Sequence, residues 1–211
     1  MKKKEFDRIF GWDKTQKVYL RIGSKNFNNK YIISRNTPVI NGVYLSTYLR
    51  EAIIVEKNET LEKTYQKAKK LSYLNDGFYE DQILFAVHHV VENIFKNSNI
   101  KKYNNFVSTK KLKDDKEIGL EYFVENEIGI CKQRALLSTY LLERFKEERY
   151  IDGIARVNRN SPRFSKTGHA WCRYTKENGE IIIIDPIILK KPEKLKDANE
   201  WVYSKFEDIG S

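Results

Sequence analysis

The chain has 211 residues, of which 40 % are hydrophobic and 13 % aromatic, a composition that excludes a disordered chain and suffices for one large or two small domains. Its 39 Lys and Arg against 29 Asp and Glu leave a net charge of +10, which fits an anionic partner or good solubility and carries no information on the fold. Two cysteines and three histidines exclude a disulfide scaffold and the usual zinc motifs. We therefore expect neither a metal nor a cofactor.

The composition also bears on location and partners. No apolar segment follows the basic start, and no run of about 18 apolar residues occurs, so we expect neither a signal peptide nor a membrane span. With so few cysteines a cytoplasmic location is the prediction, while export by a route without a classical signal stays open. Acidic side chains interrupt the basic clusters at 110–116 and 190–196, so nucleic acid is not the expected partner. The oligomeric state is left open.

Residues 1–57 form the first region and are predicted to be a strand-rich extension or lobe. Val18–Ile22 and Tyr31–Ile33 are β-branched and aromatic runs typical of strands. The segment 38–55 is compatible with a strand or with a short helix near Leu45–Leu49. No function follows from this region.

Residues 58–211 form the second region, which we predict to be the functional domain. Its first part has helical periodicity from the N-cap candidate Asn58 onward, again over Tyr79–Phe95, and in a short helix around Glu117–Val124. The polar stretch 96–116 is predicted to be a loop. Gly129–Phe145 is apolar nearly all round, which indicates a buried helix.

Three strand-like segments end this region: Gly153–Val157, His169–Tyr174 and Glu180–Ile184. Helices followed by antiparallel strands predict an α+β fold.

Three residues in these elements carry a candidate site. Cys131 lies in the first turn of the predicted buried helix, where backbone N–H groups and the helix dipole favour a thiolate. His169 begins one strand, and Asp185 ends the next, all-isoleucine strand, where a carboxylate needs a partner. Taken singly, a packed cysteine, a core histidine bonded to a carbonyl and an Asp-Pro turn are the commoner interpretations. Together, thiol, imidazole and carboxylate have the chemistry of a thiol acyl-transfer triad.

The motifs around these residues resemble the transglutaminase-like superfamily. GICKQRALLSTYLL, GIARV at Gly153–Val157, GHAWCRY and IIIIDP occur in the order and at spacings compatible with that family. The Cys-x-x-Arg-Ala variant at Cys131–Ala135 is similar to the EDR-type branch. The resemblance covers roughly residues 78–187 and leaves residues 1–57 without a counterpart.

The resemblance implies a papain-like α+β core, in which the helix carrying the cysteine packs on an antiparallel sheet carrying the histidine and the aspartate. It implies Cys131 as nucleophile, His169 as general base and acid, and Asp185 as the residue that orients His169. The implied activity is acyl transfer at an amide of a protein or peptide, as protease, deamidase or transglutaminase, with hydrolysis favoured over cross-linking. Some members of the family keep the fold and only bind, so a non-catalytic interaction domain is the alternative.

Other residues near the motifs receive weaker assignments. The backbone N–H of Cys131 is one candidate oxyanion donor, and Asn126 or Gln82 is a guess for the second. Trp171 shares the strand face of His169 and is predicted mainly to pack, and Cys172 points to the opposite face.

Two further histidines and one hairpin complete the predictions. His88 and His89 diverge on their helix and are predicted to lie on a solvated edge rather than to share a metal. In the hairpin after His169, a two-residue Asn178–Gly179 turn would place His169 and Asp185 on opposite sheet faces. A three-residue loop, with Lys176 opposite Glu180, places them on the same face, so we predict the three-residue loop.

Overall fold

The computed structural model describes residues 25–45, 51–74, 77–112, 116–159, 168–198 and 203. Within these ranges the chain forms α-helices and β-strands in mixed order, which confirms the α+β class. The helices are α1 (Glu59–Ser72), α2 (Glu80–Phe95), α3 (Ile100–Thr109), α4 (Leu120–Glu125) and α5 (Cys131–Glu147). Of the helices just described, none combines the length and apolar composition that a bilayer-spanning segment requires.

The described strands fall into three sheets. They are β1 (Asn26–Phe27), β2 (Lys30–Ile32), β3 (Gly42–Leu45), β4 (Ala52–Val55), β5 (Tyr73–Leu74), β6 (Gly77–Phe78), β7 (Glu117–Gly119), β8 (Ile154–Arg159), β9 (Ala170–Thr175), β10 (Ile181–Ile184) and β11 (Glu193–Lys194). One sheet has the order β1-β2-β3-β4-β7, a second has the order β11-β10-β9-β8, and β5 pairs with β6.

The first sheet joins the two predicted regions. Strand β4 pairs in parallel with β7, which lies more than 60 residues further along the chain, so the sheet crosses the predicted boundary at residue 57. The carboxylate of Glu143 on α5 accepts the N–H groups of Val39 and Ile40, at 2.9 to 3.1 Å. Val39, Tyr44 and Ile53 belong to the same buried apolar cluster as the helix α5. The strand prediction at Val18–Ile22 lies outside the described residues.

The helices follow from caps and apolar spacing, with two corrections. Asn58 caps α1 by accepting the N–H of Leu61 at 3.0 Å, and α2 begins one residue after the predicted start. The stretch 96–116, predicted to be a loop, contains α3, capped by Asn99. The prediction was wrong because α3 buries only a narrow stripe, Tyr103, Phe106 and Val107, between Lys and Asn residues.

The segment predicted as a short helix at Glu117–Val124 is divided between two elements. Its first three residues form β7, and the helix α4 begins only at Leu120. The strand part was missed because its partner, β4, lies far away in the sequence and leaves no local signal.

Helix α5 packs on β8 and β9 of the second sheet and also on α2. One face of the sheet meets α5 through alternating apolar residues, among them Cys172, which is fully buried on this face as predicted; the set is Ala155, Val157, Ala170, Cys172, Tyr174, Ile182 and Ile184. The other face carries Trp171 and Ile183, which pack with Ala198 and Tyr203.

The β9–β10 hairpin has the predicted three-residue loop. Lys176 N–H donates to the carbonyl of Glu180 at 2.8 Å, and Gly179 adopts a left-handed conformation with φ of 85°. Ile181 pairs with Thr175 and Ile184 with Cys172, so the next pair along the ladder is Asp185 and Trp171. This register places the side chains of His169 and Asp185 on the same side of the sheet.

Candidate functional site

Cys131 is the first residue of α5, and the chain is held tightly as it enters this helix. Gly129 N–H donates to Ser98 Oγ at 2.9 Å, and Ile130 N–H donates to the side-chain oxygen of Gln133 at 3.1 Å. A Cβ added at Gly129 would lie 2.8 Å from the ring of Phe95, so this position requires glycine because of close packing. Cys131 is partly buried, in contrast to the fully buried Cys172.

His169 and Asp185 meet at the ends of two neighbouring strands. His169 lies just before β9 and Asp185 just after β10, and the Nε2 and Oδ2 atoms are 2.5 Å apart. The carboxylate side chain is 2 % exposed and the imidazole 14 %. Because Nε2 faces the carboxylate, Nδ1 is the ring nitrogen left for another partner. The imidazole also forms a hydrogen bond with the side chain of Cys131. The structure thus brings the three predicted residues, the candidate triad, together in the predicted order.

The electrostatics of the candidate triad favour a thiolate–imidazolium pair. Burial raises the pKa of Cys131, but the hydrogen bond and charge of His169, the N–H of Ala170 and the nearby Lys132 outweigh burial and hold the pKa below its usual value. Burial by itself lowers the pKa of His169, whereas hydrogen bonds and charges from Asp185 and Cys131 raise it to about 9. The charged forms therefore stabilise each other.

Cys172 provides the internal contrast. Burial within the apolar core raises the pKa of its thiol to about 12. The two free cysteines of the chain thus differ in the direction of their pKa shifts and in exposure. Only Cys131 lies where a thiolate is stabilised and can be reached.

The carboxylate of Asp185 is held from two further directions. Ile187 N–H donates to Oδ1 at 3.1 Å, and Tyr203 O–H donates to Oδ2 at 2.8 Å. The ring of Trp171 stacks on that of His169, with 6.1 Å between ring centroids and 24° between planes. Trp171 is 3 % exposed, which supports the predicted packing role and places that packing against the imidazole.

A buried ion pair lies beside Cys131. Lys132 Nζ is 2.7 Å from Glu51 Oε1, and the two side chains are 8 % and 0 % exposed. The same oxygen accepts Tyr103 O–H at 2.5 Å and Gln133 Nε2 at 3.1 Å. Glu51 immediately precedes β4, so this cluster ties the first sheet to the first turn of α5. It also fixes Lys132, whose positive charge favours the Cys131 thiolate.

A surface cavity of about 410 Å³ adjoins the candidate triad. Gly129 and Ile130, which precede Cys131, and Pro186 and Ile187, which follow Asp185, form part of its wall. The remaining wall comes from the end of α2, the start of α3 and Arg134 on α5. The cavity therefore lies beside residues that flank Cys131 and Asp185 in the chain.

The contacts described for Asn126 and Gln82, the two guesses for a second oxyanion donor, do not involve Cys131. Asn126 donates its side-chain amide to the carbonyl of Tyr122 on its own helix, at 2.7 Å. Gln82 is exposed on the first turn of α2 and lines a separate groove with Lys176 and Glu180. The backbone N–H of Cys131 remains a candidate oxyanion donor, because the first N–H groups of a helix have no intrahelical acceptor. The signal for a second donor was absent from the sequence.

The prediction for the paired histidines is half correct. His89 is exposed, but His88 is 1 % exposed and its Nε2 lies 3.0 Å from the carbonyl oxygen of Leu189. The apolar stripe of α2 is wider than the spacing suggested, because the segment after Asp185 covers its edge. Within the described ranges, no group of three or more His, Cys, Asp or Glu side chains is placed to hold a metal ion.

Sequence reasoning missed several residues that support the site. Arg134 is 7 % exposed and donates to the carbonyls of Pro186, at 3.2 Å, and Phe95, at 2.5 Å, so it fixes the turn after Asp185. Arg134 lies three residues after Cys131, inside the Cys-x-x-Arg-Ala motif, and this position could have identified it as a residue that supports the site. Glu51 and Tyr203 reach the site from segments distant in sequence, for which no local pattern exists.

Comparison with protein-family models, with curated proteins and with solved structures gives no match.

Proposed function

We propose that the protein is a transglutaminase-like thiol enzyme with a papain-like core, which transfers acyl groups at an amide of a protein or peptide. The observation that carries the proposal is the contact chain from Cys131 through His169 to Asp185, at the N-terminus of a buried helix. A purely packing cysteine has no need of an imidazole that is itself held by a buried carboxylate.

The proposed reaction has two halves. The Cys131 thiolate attacks the amide carbonyl carbon, and the N–H of Cys131 stabilises the oxyanion that forms. The C–N bond then breaks, the leaving amine takes the proton from Nδ1 of His169, and a thioester remains on Cys131. Water, or an amine, gives a proton to His169, attacks the thioester and displaces the thiolate. Water yields a carboxylate, and an amine yields a new amide.

Two features support a peptide as the substrate. Cys131 is only partly buried, and the cavity lined by Ile130, Pro186 and Ile187 together with polar side chains is suited to a side chain of mixed character. Ile187 and Ile100, which both line this cavity, are 48 % and 57 % exposed, so apolar surface is open to a ligand there. Hydrolysis is favoured over cross-linking.

The test is product analysis of a peptide pool incubated with the protein in ¹⁸O-labelled water containing methylamine. Hydrolysis places ¹⁸O in a new terminal or side-chain carboxylate, and transamidation adds methylamine to a glutamine side chain. We expect one of these products with the wild type and with Cys172→Ala, and none with Cys131→Ala. Equal product from the wild type and Cys131→Ala would contradict the proposal.

A further inference from the structure

Oδ2 of Asp185 is shared between two donors. It accepts from Nε2 of His169 at 2.5 Å and from the hydroxyl of Tyr203 at 2.8 Å, while Oδ1 accepts only the N–H of Ile187 among the described residues. Tyr203 is fully buried. Ile187 and His169 already donate to the two oxygens of the carboxylate and hold it in place. The hydrogen bond from Tyr203 is therefore not needed for that purpose.

Tyr203 is also linked to the His169 imidazole through the ring of Trp171, which packs against both. Its ring meets Trp171 edge-on, with 5.2 Å between centroids and 82° between planes, and Trp171 stacks on His169. Tyr203 belongs to neither strand that carries the candidate triad and reaches it from the C-terminal part of the chain. The closed ring of contacts through Asp185, His169 and Trp171 leaves its hydroxyl little freedom to change partner.

Charged and titratable groups on several elements face the His169–Asp185 pair, and each of them affects the pH dependence of that pair. They are Cys131 and Arg134 on α5, His88 on α2, and Glu193 on β11, the last acting on Tyr203. Burial, together with the charge of Asp185, raises the pKa of Tyr203 well above its usual value, so the phenol stays a neutral donor across the working pH range.

We propose that Tyr203 is a positioning residue that limits how strongly Asp185 holds the His169 imidazolium, by sharing the carboxylate oxygen that His169 uses. A neutral donor on Oδ2 draws charge from the carboxylate. Without it, His169 becomes more basic and hands its Nδ1 proton less readily to a leaving amine. This inference deepens the proposed function and rests on it for its catalytic meaning.

The test is an NMR titration of the histidine rings, which is tractable because the chain has three histidines. It is done in a Cys131→Ala background, so that His169 titrates without the thiol, and the signal is assigned by its loss in His169→Ala. We expect Tyr203→Phe to raise the His169 midpoint by roughly half to one pH unit. Tyr174→Phe is the matched control, because Tyr174 is equally buried, donates to Glu80 at 2.6 Å and lies on the opposite sheet face.

A purely structural Tyr203 would lower the melting temperature and leave the midpoint unchanged, which would overturn the inference, as would a downward shift. If Tyr203→Phe does not fold, 3-fluorotyrosine at position 203 gives a stronger donor and is expected to lower the His169 midpoint. The experiments distinguish failure of the proposed acyl-transfer function from failure of the proposed role of Tyr203. A midpoint shift without amide turnover contradicts only the proposed function, and turnover without a midpoint shift contradicts only the role of Tyr203.

Discussion

Replacing Glu51 tests whether the first sheet stabilises the helix that carries Cys131. Glu51 is completely buried and is 2.7 Å from Lys132, which is itself 8 % exposed. Glu51→Gln keeps the shape and one acceptor oxygen, so Tyr103 and Gln133 retain a hydrogen-bond partner. The negative charge opposite Lys132 is lost, and the change therefore isolates the ion pair.

The expected cost is about 3 kcal/mol in the free energy of unfolding, the lower end of the range for removing one partner of a buried ion pair. The lower end applies because Lys132 also lies 5.2 Å from the ring centroid of Tyr103, and this cation–π contact survives the change. For a denaturant slope of about 2 kcal/mol per molar urea, the unfolding midpoint falls by about 1.5 M.

Equilibrium urea unfolding, followed by circular dichroism, measures this change. Glu59→Gln is the control, since Glu59 and Lys63 form a surface pair whose side chains are 82 % and 70 % exposed, and no measurable shift of the urea midpoint is expected there. Glu51→Gln combined with Lys132→Met removes both charges, keeps an acceptor oxygen for Tyr103 and Gln133, and is expected to recover most of the stability. A Glu51→Gln variant within about 1 kcal/mol of the wild type would refute the reasoning.

Three further predictions concern the candidate triad. Iodoacetamide is expected to alkylate Cys131 at lower pH and much faster than Cys172, and equal rates at the two sites, read by peptide mass spectrometry, would count against a stabilised thiolate. Asp185→Asn is expected to lower kcat/KM for amide turnover by at least about tenfold by misorienting His169, while a folded variant with full activity would make Asp185 structural. The pH–rate profile is expected to fall on the alkaline side near pH 9, where His169 loses its proton, and an alkaline limb near pH 6.5 would show that Asp185 does not support the imidazolium.

The parts of the fold that depend on local signals were predictable. The N-cap at Asn58, the apolar stripe of α2 and the all-round apolar helix α5 each follow from neighbouring residues. The β9–β10 register was predictable from chemistry, because the candidate triad requires His169 and Asp185 on one face and Gly179 permits the left-handed loop residue.

The remaining features depend on contacts between distant segments. The parallel pairing of β4 with β7 joins strands separated by α1, α2 and α3, and no local pattern encodes such a register. Glu51 can be buried because Lys132 is its neighbour in the fold, and the hydroxyl of Tyr203 can be buried because it bonds to Asp185. Neither partner can be identified from the sequence alone. Glu51 and Tyr203 could not be found from the sequence for this reason, although the three residues of the candidate triad were found.

Acyl transfer to Cys131 is the central claim, and trapping the acyl-enzyme tests it most directly. p-Nitrophenyl acetate is a suitable acyl donor because it requires no knowledge of the natural substrate. After rapid acid quenching, peptide mass spectrometry is expected to find a hydroxylamine-labile acetyl group on Cys131, formed at least about 100-fold more slowly in His169→Ala. Acetylation of Cys131 no faster than that of a free thiol, or unchanged by His169→Ala, would contradict the account.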